Sequence, residues 1–369
     1  MKILTVFGTR PEAIKMFPVI RELKKHKSKI KSLVCVTAQH RQMLDPFLKN
    51  FNIQPDYDLN IMRKDQSLEY ITSTVLVQVG EIIKKQRPDY VLVQGDTTTS
   101  MAASLAAFYH HVKIGHIEAG LRTFDKSRPF PEEINRKFID DISDLFFVHS
   151  SQAKENLLKE GHPANRIEIT GNTVIDAVLD VAKRKTPHKA FHPLTLDRGV
   201  KTILVTAHRR ENLGLPLEQI CLAIKKIALK YTTGVNIVYP VHLNPAVKQK
   251  VTKLLGGIKN IQLIAPLDYF SFIYLMKSSF FVISDSGGIQ EEAPSLNKPV
   301  LVLRQETERP EALRTKATKL VGTTTRQIVQ AASLLIEDKK AYQRMAQAIN
   351  PYGDGKASQR IVERLLREA

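Results

Sequence analysis

Ser284-Asp285-Ser286-Gly287-Gly288-Ile289-Gln290-Glu291-Glu292 follows the apolar run Phe280-Phe281-Val282-Ile283 and leads into a segment, Ile289 to Leu296, that can be helical. The run predicts a buried strand. Strand, small-residue turn and helix start together make a phosphate cradle. Glycines let backbone N–H groups approach an anion, and a helix N-terminus offers unpaired donors and the positive end of its dipole. Glu292 falls about one turn inside the helix, where a carboxylate repels phosphate but accepts hydrogen bonds from sugar hydroxyls. A nucleotide fits the pattern, with its diphosphate on the glycines and its ribose on Glu292. Read alone, a tight strand-to-helix turn with solvated acids fits equally well.

The same rhythm runs outward from this stretch. Strands are predicted at residues 2–7, Leu33 to Val36, Tyr90 to Val93, Lys113 to Ile117, Leu145 to Val148 and Ile167 to Ile169. Helical spacing separates them, as in Ile14, Phe17, Ile20 and Leu23 after Pro11, or the amphipathic stretch from Leu68 to Lys85. The alternation pauses between Lys183 and Gly199, a basic stretch with Pro187 and Pro193 that reads as a domain junction. It restarts with Thr202 to Val205, Val235 to Tyr239, Ile261 to Leu263, Phe280 to Ile283 and Val300 to Leu303. The expected fold is α/β, with two Rossmann-like, doubly wound parallel sheets facing across a cleft. The expected boundaries are 1–171, 172–352 and a final helical segment, 353–369, packing back on the first domain.

Length and composition agree. At 369 residues, 43% hydrophobic and 25% charged, the chain suits two soluble globular domains. No apolar run approaches the roughly 20 residues of a membrane span, and the start, Met1 to Phe7, is too short an apolar run for a signal peptide. A cytoplasmic protein is expected, without a membrane or nucleic-acid partner. Cys35 and Cys221 sit in separate apolar segments and read as buried thiols. The net charge of +18 is scattered over helix faces and is read as a solvated basic surface that also draws in an anionic small substrate. Cys-x-x-Cys, Gly-x-Gly-x-x-Gly, Walker and Gly-x-Ser-x-Gly patterns are lacking, so neither a metal nor a bound cofactor is expected.

Reactive side chains fall at corresponding places. Arg10, Asp96, Glu118, His208, His242, Ser286 and Arg304 each lie just past the carboxyl end of a predicted strand. That edge is where open α/β sheets bind ligands. Each has a plainer role available. Asp96 before three threonines suits a helix N-cap. Glu132 and Glu133 after Pro131 suit a first helical turn. His208-Arg209-Arg210 suits a solvated basic turn, His242 a structural histidine, and Lys15 an exposed lysine. Glu118 before Ala119-Gly120 has no such structural use.

Taken together, Gly8-Thr9-Arg10-Pro11-Glu12-Ala13-Ile14-Lys15, Gly95-Asp96-Thr97, Gly115 to Arg122, Pro131 to Arg136, His208 to Asn212, Asp285 to Glu292 and Thr307 to Glu311 resemble the non-hydrolysing UDP-N-acetylglucosamine 2-epimerases, over nearly the whole chain. The resemblance implies the two-domain glycosyltransferase-B architecture, a homodimer and interconversion of UDP-GlcNAc and UDP-ManNAc for cell-surface polysaccharides. It implies that Arg10, Ser286, Gly287 and Gly288 hold the diphosphate and Glu292 the ribose. Leu267 and Phe272 would flank the uracil, and Arg309 would complete that site. Asp96, Glu118 and Glu132 would be the acid–base set, supported by Lys15, Arg136 and His208. Gln39, His40, Gln42, Gln66, Arg209 and His242 match positions where family members bind a second UDP-GlcNAc. Gln94 stands where His is frequent, and Ser127-Arg128 replaces a common Tyr-Ser.

Without a nicotinamide to make a ketone, the feasible route to inversion at C2 is elimination of UDP and re-addition, with carboxylates moving protons on both faces. A hydrolysing relative would release free ManNAc. A GT-B glycosyltransferase would need an acceptor groove. A nucleic-acid module would show salt-sensitive binding indifferent to UDP-sugars.

Overall fold

The computed structural model describes residues 1–184, 199–307 and 309–368. Pro187 and Pro193 of the expected junction, and Glu308, lie outside the described residues. The first sheet contains β1 (Lys2–Phe7), β2 (Lys31–Val36), β3 (Tyr57–Asp58), β4 (Tyr90–Gln94), β5 (Lys113–Ile117), β6 (Leu145–Val148) and β7 (Ile167–Ile169), in the order β3-β2-β1-β4-β5-β6-β7. Between and after them run α1 (Arg10–Lys25), α2 (Arg41–Asn50), α3 (Leu68–Gln86), α4 (Thr98–Tyr109), α5 (Glu132–Ile142), α6 (Ser151–Lys159) and α7 (Thr173–Lys183).

The second sheet contains β8 (Lys201–Thr206), β9 (Val235–Pro240), β10 (Ile261–Ile264), β11 (Phe281–Ser284), β12 (Val300–Val302) and β13 (Thr318–Leu320), in the order β10-β9-β8-β11-β12-β13. Its helices are α8 (Leu215–Lys230), α9 (Pro245–Leu255), α10 (Tyr269–Ser278), α11 (Gly287–Glu292), α12 (Pro310–Arg314), α13 (Thr325–Glu337) and α14 (Lys339–Ala346), and α15 (Ala357–Leu366) follows. Every strand pairing is parallel. Strand order reverses between β1 and β4 in one sheet and between β8 and β11 in the other. Such switch points open a crevice at the carboxyl ends of the strands.

Two compact units result. The first comprises Met1–Ala177 and Tyr352–Ala369, and the second Val178–Pro351. All residues of β4 are buried, as are β6, β11 and β12. Parallel sheets covered by helices on both faces demand such unbroken apolar runs. These runs made the strands legible. The short edge strands β3 and β13 went unread, because two or three residues carry no periodicity.

The helices start where local chemistry says they should. Thr9 and Glu12 form a reciprocal capping box for α1, with Pro11 in the first turn. Ile14, Phe17, Ile20 and Leu23 of α1 are buried, as their spacing required. α15 is pinned by Asp176 of α7, whose carboxylate accepts from Ala357 N (3.1 Å) and Ser358 N (2.8 Å). Beside it Asn172 N donates to Tyr352 O at 2.6 Å. Among the described residues no helix is long and apolar enough to cross a membrane.

Cys35 and Cys221 are both fully buried. Burial pushes both thiols up to about 12, well away from the reactive thiolate. A disulfide-exchange reagent is therefore expected to titrate no thiol in the native protein and two after denaturation. Rapid native labelling would show that these cores open.

Candidate active site

In the first unit, Arg10, Asp96 and Glu118 stand just beyond β1, β4 and β5. Those are neighbouring strands, so the three side chains share one sheet edge. Glu118 has a left-handed backbone, φ +69°. For a side chain with a Cβ that conformation costs roughly 1–2 kcal/mol. It is held by Glu118 N and Ala119 N, which both donate to Phe147 O at the end of β6 (2.9 and 3.3 Å). The turn closes on Gly120, φ +78°, where a Cβ would lie 2.3 Å from Ala153 O. The Glu118 carboxylate accepts from Lys15 Nζ and Gln94 Nε2, and from Asn172 Nδ2 at 3.3 Å. Lys15 is thus a partner of the acid, not a free surface lysine.

Asp96 does not cap α4. Thr97 does, its hydroxyl accepting Ser100 N at 3.0 Å. Asp96 instead accepts from Arg136 Nη2 at 2.5 Å, while its backbone carbonyl accepts from Asn135 Nδ2 at 2.9 Å. α5 carries both donors, and Glu132 is its first residue. Glu132 and Glu133, indistinguishable in sequence, separate here. The Glu133 carboxylate is buried and accepts from the backbone of Thr123 (3.0 Å) and Phe124 (2.9 Å), with Arg136 Nη1 at 3.4 Å. Glu133 therefore anchors the loop of Ser127-Arg128. Glu132 keeps a buried Oε2 with no hydrogen-bond partner, and so do Arg136 Nε and Arg10 Nε. Buried polar atoms left open at one sheet edge mark a place built for a polar ligand. Glu12, by contrast, is consumed structurally. It accepts from Gly8 N, Thr9 N, Thr97 Oγ1 and Ser100 Oγ, tying the first loop to α4.

Gln39 and Gln66 meet, Gln66 Nε2 donating to Gln39 O at 2.9 Å, and Gln39 Oε1 accepts from Thr99 Oγ1 at 3.0 Å. His40 precedes α2 as its N-cap residue, and Gln42 is exposed in its first turn.

In the second unit, His208, His242, Ser286 and Arg304 follow β8, β9, β11 and β12. Asp285, to which no role was assigned from sequence, holds the loop that carries His208. Its fully buried Oδ2 accepts from His208 N (2.9 Å), Arg209 N (2.8 Å) and Asn212 Nδ2 (3.0 Å). Its Oδ1 lies 3.6 Å from His208 Nδ1. The His208 ring stacks on His242, with centroids 5.4 Å apart and planes 6° apart. Burial lowers the His208 pKa from its ordinary 6.5; Asp285 opposes the shift, and His242 and Arg209 add to it.

Ser286 is the N-cap residue of α11 and makes no side-chain cap bond there. Gly287 and Gly288 open the helix, and Glu292 ends it. A Cβ on Gly288 would meet only the Glu292 carboxylate, at 3.7 Å, so the space above the turn is open. Glu291 is an anchor. Its Oε1 accepts from Arg309 Nε at 2.8 Å, while Thr307 Oγ1 donates to Gln290 at 2.7 Å. Leu267 lies half-buried just before α10, and Phe272 lies half-buried in its first turn.

Among the described residues no cluster of His, Cys, Asp and Glu could hold a metal. One spacing escaped the expectation of no metal: His188 and His192 stand four apart, and both lie outside the described residues.

A family model described as UDP-N-acetylglucosamine 2-epimerase matches residues 21–366. The chain is similar to the UDP-N-acetylglucosamine 2-epimerase of Bacillus subtilis, with 53% identity covering 99% of this chain and 95% of the relative. It is 52% identical to that of Yersinia pestis, over 99% and 98%. Among solved structures, the UDP-GlcNAc 2-epimerase of Neisseria meningitidis bound to UDP-GlcNAc is 49% identical with a TM-score of 0.89, each chain covering all of the other.

Glu133→Ala leaves two backbone N–H groups and part of Arg136 without their carboxylate. It is expected to lower unfolding free energy by roughly 1–3 kcal/mol, measured by urea titration, whereas Glu132→Gln is expected to leave it nearly unchanged. The reverse order would exchange the two roles. For His208 the folded value is depressed, so its contribution to stability is present above about 6.5 and is lost as pH falls through the lower folded value. An NMR titration assigned with His208→Asn is expected to place its midpoint below that of an ordinary histidine.

Proposed function

This chain belongs to the UDP-N-acetylglucosamine 2-epimerase family, and on that premise we propose that it interconverts UDP-GlcNAc and UDP-ManNAc by eliminating and re-adding UDP. The observation that supports this most is a set of three carboxylates in one unit with three different surroundings. Glu118 faces Lys15 and Gln94, Asp96 faces Arg136, and Glu132 keeps an open buried oxygen. Inversion at C2 needs a proton taken from one face and another returned to the opposite face. That requires more than one acid–base group.

In the first half-reaction a carboxylate takes the C2 proton and the C2–H electron pair forms the C1=C2 bond. The C1–O bond breaks, and its electron pair leaves with UDP. Re-addition of UDP to the 2-acetamidoglucal, with protonation from the other side, gives the epimer. Negative charge grows on the leaving diphosphate, where Arg10, His208, Ser286 and the amides of Gly287 and Gly288 stabilise it. Glu292 takes the ribose hydroxyls, Leu267 and Phe272 flank the uracil, and Arg309 completes that end. Gln39, His40, Gln42, Gln66, Arg209 and His242 take a second UDP-GlcNAc as activator. A homodimeric, cytoplasmic enzyme supplying cell-surface polysaccharide synthesis completes the proposal.

Incubation of the purified protein with UDP-GlcNAc in D2O, followed by NMR, tests it directly. The expected result is a mixture with UDP-ManNAc carrying deuterium at C2, with no added cofactor. Accumulation of free ManNAc and UDP would instead identify a hydrolysing enzyme.

A further inference from the structure

His116, the fourth residue of β5, is fully buried and lies between two groups that only accept hydrogen bonds. Its Nδ1 is 2.6 Å from Asp140 Oδ1 and its Nε2 is 2.8 Å from Gly95 O. Gly95 immediately precedes Asp96 and has φ +68°. The other Asp140 oxygen accepts from Gly120 N at 3.2 Å, two residues beyond Glu118, and from Arg122 Nη1 at 2.8 Å. Arg122 in turn meets Glu160 at 2.5 Å. Asp140 lies two turns along α5 from Glu132 and one turn from Arg136, the partner of Asp96.

We propose that His116 is a positioning residue, donating from both ring nitrogens as an imidazolium, that fixes the Asp96 turn against the Glu118 turn. This rests on the proposed epimerisation and extends it to a side chain that never touches the sugar. A neutral imidazole carries one N–H and one lone pair. In either tautomer one contact would set a lone pair against an acceptor oxygen, and both His116 and Asp140 are fully buried. A cationic His116 also faces the fully buried Asp140 carboxylate as a second positive partner beside Arg122. The Asp140 carboxylate lies below its ordinary range, the pull of His116 and Arg122 outweighing the upward push of burial.

The bridge joins the backbone carbonyl before one proposed acid, the backbone amide after another, and the helix that begins with the third. Its loss would move the acids relative to each other without touching the nucleotide cradle. A misplacement on the scale of 1 Å can cost about 10²-fold in rate.

The experiment compares the wild-type protein with His116→Asn and the longer His116→Gln. It follows UDP-GlcNAc turnover, deuterium entry at C2, UDP affinity by calorimetry and melting temperature. Both variants are expected to lose roughly 10²-fold in kcat and in exchange, with KM changing no more than about twofold and UDP affinity retained. A lower melting temperature with kcat per folded molecule preserved would overturn the positioning role. A wild-type protein that produces no UDP-ManNAc would overturn the proposed reaction instead, so the two failures are distinguishable. Should neither variant fold, 15N NMR of histidine-labelled wild-type protein decides. Two ring N–H signals for the buried histidine at neutral pH are expected, and a single one overturns the inference.

Discussion

A carboxylate withdrawn from water must be given partners, and both units are arranged around that demand. Removing a partner from a buried ionic pair costs about 3–5 kcal/mol. Glu12, Glu133, Asp140, Asp285 and Glu291 are all buried, and each ties a loop or turn to a neighbouring element. Asp285 gathers the loop after β8 onto the end of β11, and Asp140 gathers the turns after β4 and β5 onto α5. The anchors leave little freedom in how the exposed ends of the sheets can be arranged.

The partners divide the acids into two kinds. Glu12, Glu133 and Asp285 are satisfied largely by backbone N–H groups or by short polar side chains. Such donors cannot leave without unravelling a turn, so these acids are fixtures. Asp96 and Glu118 are satisfied mainly by the ends of long side chains, Arg136, Lys15 and Gln94. Those partners can follow a changing charge while the backbone stays still. An acid that must hold a proton in one state and release it in the next needs the second kind of surroundings.

Strand positions and strand-end residues were legible because a parallel strand buried on both faces reads as an unbroken apolar run. The carboxyl edge then follows from counting to the end of each run, which is how Arg10, Asp96, Glu118, His208, His242, Ser286 and Arg304 were found. Choices among neighbouring acids were not legible. Glu132 and Glu133 look alike until Thr123 N and Phe124 N select one of them. Asp285 reaches His208 N across 77 residues, and His116 reaches Asp140 across 24. Pairings of that range leave no trace in local spacing. The N-cap role weighed for Asp96 failed for a local reason, since Thr97 sits one residue closer to the helix.

The placement of α15 has a consequence for the order in which the molecule is made. The second unit, Val178–Pro351, is one continuous segment, but the first needs Tyr352 and the helix that Asp176 caps. During synthesis the second unit is complete on the ribosome before the first has received its last helix. Domains ordinarily fold from the N-terminus onward as they emerge. Here the earlier-translated part of the first unit waits for a segment translated after the whole of the second, with the apolar face awaiting Ile361, Val362 and Leu365 uncovered in the interval.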